Sequence, residues 1–153
     1  MADETPQPGM RPGVDYSLLN ESHVAAYRET NGKRGGVWNG ATAVLVTYTG
    51  RKSGAKRTIA IIGKQVGSSF VIIASKGGSP THPLWYLNLQ ADPNVEVQFM
   101  ADRWEGVART AEPPEREAMW EEACSQWPAF NDYQARTERK IPVVVIETGR
   151  KLN

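Results

Sequence analysis

The chain has 153 residues, of which 40% are hydrophobic and 23% charged, so it has the size and composition of one folded domain and not of a disordered chain. Its two histidines and one cysteine exclude a zinc finger or a three-histidine centre, and no metal is expected. No acidic residue lies between Glu29 and Asp92, a stretch with eight basic residues, while the remainder has ten basic and seventeen acidic ones. This asymmetry favours an anionic partner, although a solvated basic surface explains it equally well.

The first half of the chain predicts a flexible segment followed by helix and strands. Residues 1–14 hold three prolines and two glycines without periodicity, and a single domain is expected over 15–153. A helix is predicted over 15–30, ended by Asn31-Gly32. Runs rich in β-branched residues predict strands at 42–48, 57–62 and 70–74. Thr81 is the expected cap of a helix over 82–90.

The second half predicts a hairpin, two helices and a last strand. The strands are expected at 95–99, 103–110 and 143–147, and a short helix at 131–136. An acidic helix begins at Pro113-Pro114 and has one apolar face, which consists of Met119, Trp120, Ala123, Cys124 and Trp127. The strands outnumber the helices and do not alternate with them. The sequence therefore predicts an α+β fold, with a mostly antiparallel sheet or barrel and helices packed outside it.

The same sequence predicts a cytoplasmic protein. No apolar run approaches the roughly 18 to 20 residues that a membrane span needs. The N-terminus lacks the basic and then apolar pattern of a secretion signal. Cys124 has no second cysteine to pair with, which is typical of a reducing compartment. Its acidic neighbours disfavour a thiolate, so we expect a packing residue and not a nucleophile.

Two loops that combine glycines with cations are candidate anion sites. TGRKSGAKR (49–57) contains Arg51, Lys52 and Arg57, and ASKGG (74–78) contains Ser75 and Lys76. Glycine lets backbone N–H groups approach a ligand closely, while arginine and lysine supply charge for phosphate or carboxylate. Neither loop has the pattern of a Walker loop or of a Rossmann site.

Aromatic residues follow both loops along the chain. Trp85 and Asn88 are three residues apart and share a face of the predicted helix. They are either core residues or the wall and edge contact of a flat ring system. Trp127, Phe130 and Tyr133, here called the aromatic cluster, also recur at helical spacing. They form either core packing or the lid of an apolar pocket.

Four segments resemble, in order and spacing, the deazaflavin-dependent nitroreductase family, whose members are oxidoreductases that use reduced coenzyme F420. These segments are TGRKSG, ASKGG, PLWYLNL with ADPNVEVQ, and WPAFNDYQARTERKIPVVVIE. The resemblance runs from about Asn20 to Glu147 and implies a split β-barrel related to FMN-binding split-barrel proteins. It also implies hydride transfer from F420H2 to a small-molecule acceptor, namely an enone, an unsaturated lactone or a quinone.

The resemblance assigns the coenzyme contacts to the two loops and to the helix after them. Arg51, Lys52 and Arg57 match residues that hold the phosphate and polyglutamate tail of F420. Ser75 and Lys76 match contacts to the phosphate and the ring edge. The residues that match contacts on or near the deazaflavin are Trp85 and Asn88.

The substrate side departs from the nitroreductase-type members. Trp127, Phe130 and Tyr133 occupy positions where those members carry three tyrosines around the substrate, so two hydroxyls are absent here. Ala60 and Ile62 stand in place of a proline and a tyrosine. Nitro reduction is therefore expected to be weak. Ser75 or Tyr133 is the expected donor or orienter of the proton, although water could serve equally.

Three other functions remain open from the sequence alone. One is a split-barrel oxidoreductase that binds FMN, and another is a coenzyme carrier without turnover. The third is a small barrel that binds single-stranded nucleic acid, but the aromatics do not alternate with cations, and no nucleic acid is expected. We expect a monomer, with peripheral membrane contact if the acceptor is a membrane quinone.

Overall fold

The fold is organised around six antiparallel strands that close into a barrel. The computed structural model describes residues 17–153. In chain order the barrel strands are β3 (Ala41–Thr49), β4 (Lys56–Val66), β5 (Ser69–Ile73), β6 (Asn94–Phe99), β7 (Asp102–Thr110) and β8 (Val143–Lys151). They pair in the circular order β3–β4–β5–β8–β7–β6, and β6 pairs with β3 again. The expected antiparallel barrel in an α+β fold is confirmed.

Within residues 17–153, two short strands and four helices surround this barrel. The strands β1 (Leu18–Leu19) and β2 (Val37–Trp38) pair with β4 and β3, respectively. The helices are α1 (Glu21–Thr30), α2 (Leu84–Ala91), α3 (Glu115–Gln126) and α4 (Ala129–Ala135). A 3₁₀ turn over Lys76–Gly78 precedes α2. The predicted flexible segment 1–14 lies outside the described residues.

Three helix starts differ from the expectation. α4 begins at Ala129, two residues before the predicted start. α1 begins at Glu21 because Leu18 and Leu19 pair with β4 and the side chain of Asn20 accepts a bond from the backbone N–H of His23 at 3.0 Å. The predicted cap at Thr81 is wrong. α2 begins at Leu84, after an extended Pro83 without a side-chain cap.

The hydrophobic core consists of two layers, one inside the barrel and one outside it. Side chains from all six strands meet inside, where α2 adds Trp85, Tyr86 and Leu89. Because the wall is closed, a helix reaches this interior only through one end, so α2 covers that end. The outer layer packs α1, α3 and α4 against β3, β4, β5 and β8. The predicted apolar face of α3 is confirmed in this outer layer.

Candidate coenzyme site

The turn between β3 and β4, here called the basic turn (residues 50–55), carries the first predicted anion site. It is closed by backbone bonds from the N–H of Gly50 to the carbonyl of Ala55 and from Gly54 to Gly50, both at 2.8 Å. A Cβ at Gly50 would lie 2.9 Å from Ser53 Oγ, and Gly54 has φ +72°. The glycines therefore permit a compact turn that leaves the neighbouring cations exposed.

A cleft of about 260 Å³, here called the basic cleft, opens beside this turn. Its wall is formed by Tyr48, Gly50, Arg51, Lys52, Ser53, Arg57, Leu84 and Asn88. No carboxylate lines it, and the ion pairs of residues 17–153 involve none of its three cations. The charge of these side chains is thus left for a bound anion.

Asn88 connects α2 to the basic turn through Arg51. The side chain of Asn88 is 7% exposed, and its Oδ1 accepts bonds from the backbone N–H and from Nη1 of Arg51, each at 3.0 Å. A two-point contact fixes both the main chain and the guanidinium of Arg51. In this structure Asn88 therefore positions a cation of the cleft.

We expect Asn88→Leu to weaken coenzyme binding several-fold, because Arg51 loses both bonds that orient it, each worth about 1 kcal/mol. The turnover rate at saturating coenzyme should change little. Equilibrium titration with F420 measures the first quantity and steady-state kinetics the second.

Gln90→Leu is the matched control, since Gln90 lies on the same helix but bonds to the Tyr86 hydroxyl instead. An equal loss of affinity in both variants would assign the effect to α2 as a whole. A loss of stability without a loss of affinity in Asn88→Leu would make Asn88 a purely structural residue.

The second predicted site, here called the glycine loop (residues 75–81), runs from β5 towards α2. Ser75 is fully buried, whereas Lys76 is exposed and its Nζ donates to Thr81 Oγ1 at 3.1 Å. Ser75 is right-handed helical, and the next three residues have φ values of 45°, 64° and 85°. A right-handed residue followed by left-handed ones is the pattern of backbone anion-binding nests.

Trp85 faces away from the cleft that Asn88 and Leu84 line. It is 4% exposed within the barrel interior, where its ring meets Tyr86 edge-on at a centroid distance of 6.3 Å. The structure thus places Trp85 as a packing residue of the barrel interior. The sequence analysis did not identify Tyr48, which lies in the wall of the basic cleft. Its position two residues before the basic turn was the available signal.

The aromatic cluster lies in the outer layer between the barrel and α3 and α4. Trp127, Phe130 and Tyr133 are each at most 2% exposed. The ring of Trp127 stacks on Trp38 at 5.5 Å and 29°, and Phe130 meets Tyr133 edge-on at 6.0 Å. In this packing the cluster therefore presents no open face to a substrate.

Other chemistries fit the described residues poorly. Burial raises the pKa of the Cys124 thiol to about 11, which keeps it protonated at neutral pH and agrees with a packing role. Residues 17–153 contain no group of three or more side chains suited to a metal ion, and none of their helices is long and apolar enough to cross a membrane. The large hydrophobic side chains exposed in this part are aliphatic: Leu18, Val37, Leu84 and Val107. Exposed stacking aromatics for nucleic acid are therefore absent from it.

Comparison with known proteins identifies the coenzyme. Residues 19–148 match the family model of F420H(2)-dependent quinone reductases. An F420H(2)-dependent quinone reductase of Mycobacterium tuberculosis strain H37Rv is 38% identical over 128 residues, which cover 81% of this chain and 86% of that protein.

Solved structures agree with this match. An F420-H2 dependent reductase, FDR-A, is 40% identical, with a TM-score of 0.65 over 69% of this chain and 93% of that one. A structure described as a domain-swapped dimer is 36% identical, with a TM-score of 0.68 over 82% of this chain and 96% of that one. The resemblance to F420H2-dependent oxidoreductases and the split-barrel fold are thereby confirmed, and the family description specifies quinone. The chain belongs to the F420H(2)-dependent quinone reductase family, and its cofactor is reduced coenzyme F420.

Proposed function

We propose that the protein reduces quinones to hydroquinones with F420H2, whose anionic end binds in the basic cleft. The observation that carries the proposal is the carboxylate-free cleft with three cations outside any ion pair of residues 17–153. An FMN enzyme needs a site for one phosphate only. Three cations suit a coenzyme that carries a phosphate and a tail of carboxylates.

Each predicted coenzyme residue has a role in this proposal. Arg51, Lys52 and Arg57 hold the phosphate and the tail, and Asn88 orients Arg51. Ser75 and Lys76 bind polar atoms near the ring from the glycine loop. Trp85 supports the floor of the site from the barrel interior.

Reduction of a quinone consumes two electrons and two protons. The reduced deazaflavin, when bound, supplies a hydride, which accounts for both electrons and one proton. The second proton reaches the quinone oxygen from a side chain or from water. Ser75 and Tyr133 are the proposed side chains, and both hydroxyls belong to buried residues. Transfer from either requires the quinone oxygen to come within hydrogen-bond reach.

The aromatic cluster is proposed as the apolar wall of the substrate pocket. Because its rings are buried, access requires α4 to shift from the barrel. Such a wall suits a flat, apolar acceptor better than a polar nitro group.

We further propose a monomeric cytoplasmic enzyme that meets membrane quinones at the membrane surface. The exposed Leu84 offers an apolar side chain for this contact.

We expect quinones to be reduced with at least about tenfold higher kcat/KM than nitroimidazoles, roughly the effect of one missing hydrogen bond. Enones should be reduced more slowly than quinones but faster than nitroimidazoles. The assay follows coenzyme absorbance with one acceptor of each class and subtracts the rate without enzyme.

Tyr133→Phe tests the proton role on the same acceptors. A lower kcat with unchanged KM for coenzyme supports it, and unchanged rates would assign Tyr133 to packing. A parent enzyme that favours the nitroimidazole would contradict the proposed substrate class. Binding of F420 without turnover of any acceptor would instead identify a coenzyme carrier.

A further inference from the structure

An arginine outside every predicted site makes several bonds to the glycine loop and to the residue before it. Arg139 lies in the segment between α4 and β8. Its Nε donates to the carbonyl of Ser79 at 3.0 Å, its Nη1 to that of Ala74 at 3.2 Å, and its Nη2 to that of Ser75 at 2.9 Å. Nη1 also lies 2.9 Å from His82 Nδ1. One planar guanidinium thus joins both ends of the loop.

These bonds determine which way the loop's peptide groups face. In a trans peptide, the carbonyl of one residue and the N–H of the next point in opposite directions. The carbonyls of Ala74 and Ser75 are drawn to Arg139, so the N–H groups of Ser75 and Lys76 point away from it. Those two N–H groups belong to the start of the nest pattern described above.

The loop conformation is costly and needs support from its surroundings. Lys76 has φ 45°, a region that non-glycine residues seldom occupy. A Cβ at Gly78 would clash with the carbonyl oxygen of Tyr133, so the loop packs directly on α4. Arg136 on this side adds a bond of 3.4 Å to the carbonyl of Gly77. Arg139 provides the largest share of these side-chain bonds.

The contact with His82 is compatible with neutral pH. Because a guanidinium only donates, Nδ1 of His82 must accept, which requires a neutral ring with its proton on Nε2. Burial, together with the charge of Arg139, lowers the pKa of His82 and favours this neutral form. The bond between Arg139 and His82 is therefore retained at neutral pH.

We propose that Arg139 is a positioning residue for coenzyme binding, which fixes the peptide group 75–76 so that the N–H group of the exposed Lys76 faces an electron-rich oxygen of F420. This inference rests on the proposed function. It adds a residue that touches neither coenzyme nor substrate. A lysine at this position would keep the charge but lose the planar fork that bridges several carbonyls.

The experiment compares Arg139→Lys with the parent and with Arg116→Lys. Arg116 is the matched control because its Nη2 also donates to a backbone carbonyl, that of Ile141, at 2.7 Å, which is not a carbonyl of the glycine loop. We expect Arg139→Lys to raise the Kd for F420 about tenfold, with kcat at saturating coenzyme within about twofold. Without coenzyme, amide exchange should accelerate at Gly78 and Ser79, whose N–H groups close the loop. Arg116→Lys should leave both quantities near the parent values.

A parent-like Kd in Arg139→Lys, or an equal rise in Arg116→Lys, would overturn the proposal. If Arg139→Lys does not fold, amide chemical shifts of the parent decide the question during titration with F420. A shift at the amide of Lys76 supports the proposal, and its absence overturns it. Failure of the proposed function is distinct, since the parent itself would then not bind F420 or not reduce a quinone.

Discussion

Replacement of both Arg51 and Lys52 by alanine is expected to weaken F420 binding by roughly 1 to 3 kcal/mol, or about 5- to 150-fold in Kd. Both side chains line the basic cleft and are exposed, so each loses a charge-assisted contact that water partly screens. The loss should shrink as salt rises. Titration of each variant with F420 at two ionic strengths measures both effects, and a coenzyme with a shortened glutamate tail should reproduce part of the loss.

The control variant also removes two positive charges, but at another place in the stretch between Glu29 and Asp92 that has no acidic residue. Lys33 and Arg34 are exposed in the turn after α1 and do not line the cleft. Alanine at both should weaken binding only slightly, through the reduced field of the whole segment. Equal losses in the two double variants would mean that the segment attracts the coenzyme without a local site. A parent-like Kd for the Arg51 and Lys52 variant would place the anion site elsewhere.

Trp85→Ala is expected to lower the free energy of unfolding by about 3 to 5 kcal/mol, because it leaves a cavity in the closed interior of the barrel. For a domain of this size, the melting temperature should fall by roughly 6 to 20 °C. Coenzyme affinity should fall as well, since α2 carries Asn88 and covers the end of the barrel. Urea unfolding and F420 titration measure the two effects.

Leu84→Ala is the matched control for stability, because Leu84 is the preceding residue of the same helix and is 67% exposed. It should change the free energy of unfolding by no more than about 0.5 kcal/mol. A loss under about 1 kcal/mol in Trp85→Ala would show that its ring is not part of the packed interior. The assignment of α2 to the barrel end would then be wrong.

The strands were predictable because their alternation and composition are local properties. Each predicted barrel strand overlaps an observed one, although β4 and β8 extend further than the sequence indicated. The residue pattern left a sheet and a barrel open, and the family resemblance implied the barrel. Closure of the barrel depends on β3 pairing with both β4 and β6, which no local pattern encodes. The start of α1 was misplaced for the same reason, since Leu18 and Leu19 fit a helical pattern but pair with a distant strand.

The sequence predicted the charged residues of the candidate site, but it did not predict the roles of the residues that hold them and the glycine loop in place. Arg51, Lys52 and Arg57 stand out as cations among glycines, and they do share one cleft. The bond between Asn88 and Arg51 depends on how α2 lies over the barrel, so the sequence suggested a ring contact instead. Arg139 gave no signal, because an arginine in a polar connection looks like any solvated cation until its carbonyl partners are known.

The basic turn lies at the tip of a hairpin, so the residues that face a ligand are different from the paired residues that stabilise the fold. Its arms, β3 and β4, are paired from Ala43 and Ile62 to Thr49 and Lys56, and these pairs hold the barrel together whatever the tip contains. Within the tip, Arg51, Lys52 and Ser53 are exposed. If the anionic end of the coenzyme binds in the basic cleft, as proposed, substitutions at the tip change the affinity for anionic tails at little expense in stability. The hairpin tip is therefore the natural place to redesign the enzyme for a coenzyme with fewer negative charges, while Gly50 and Gly54 are kept.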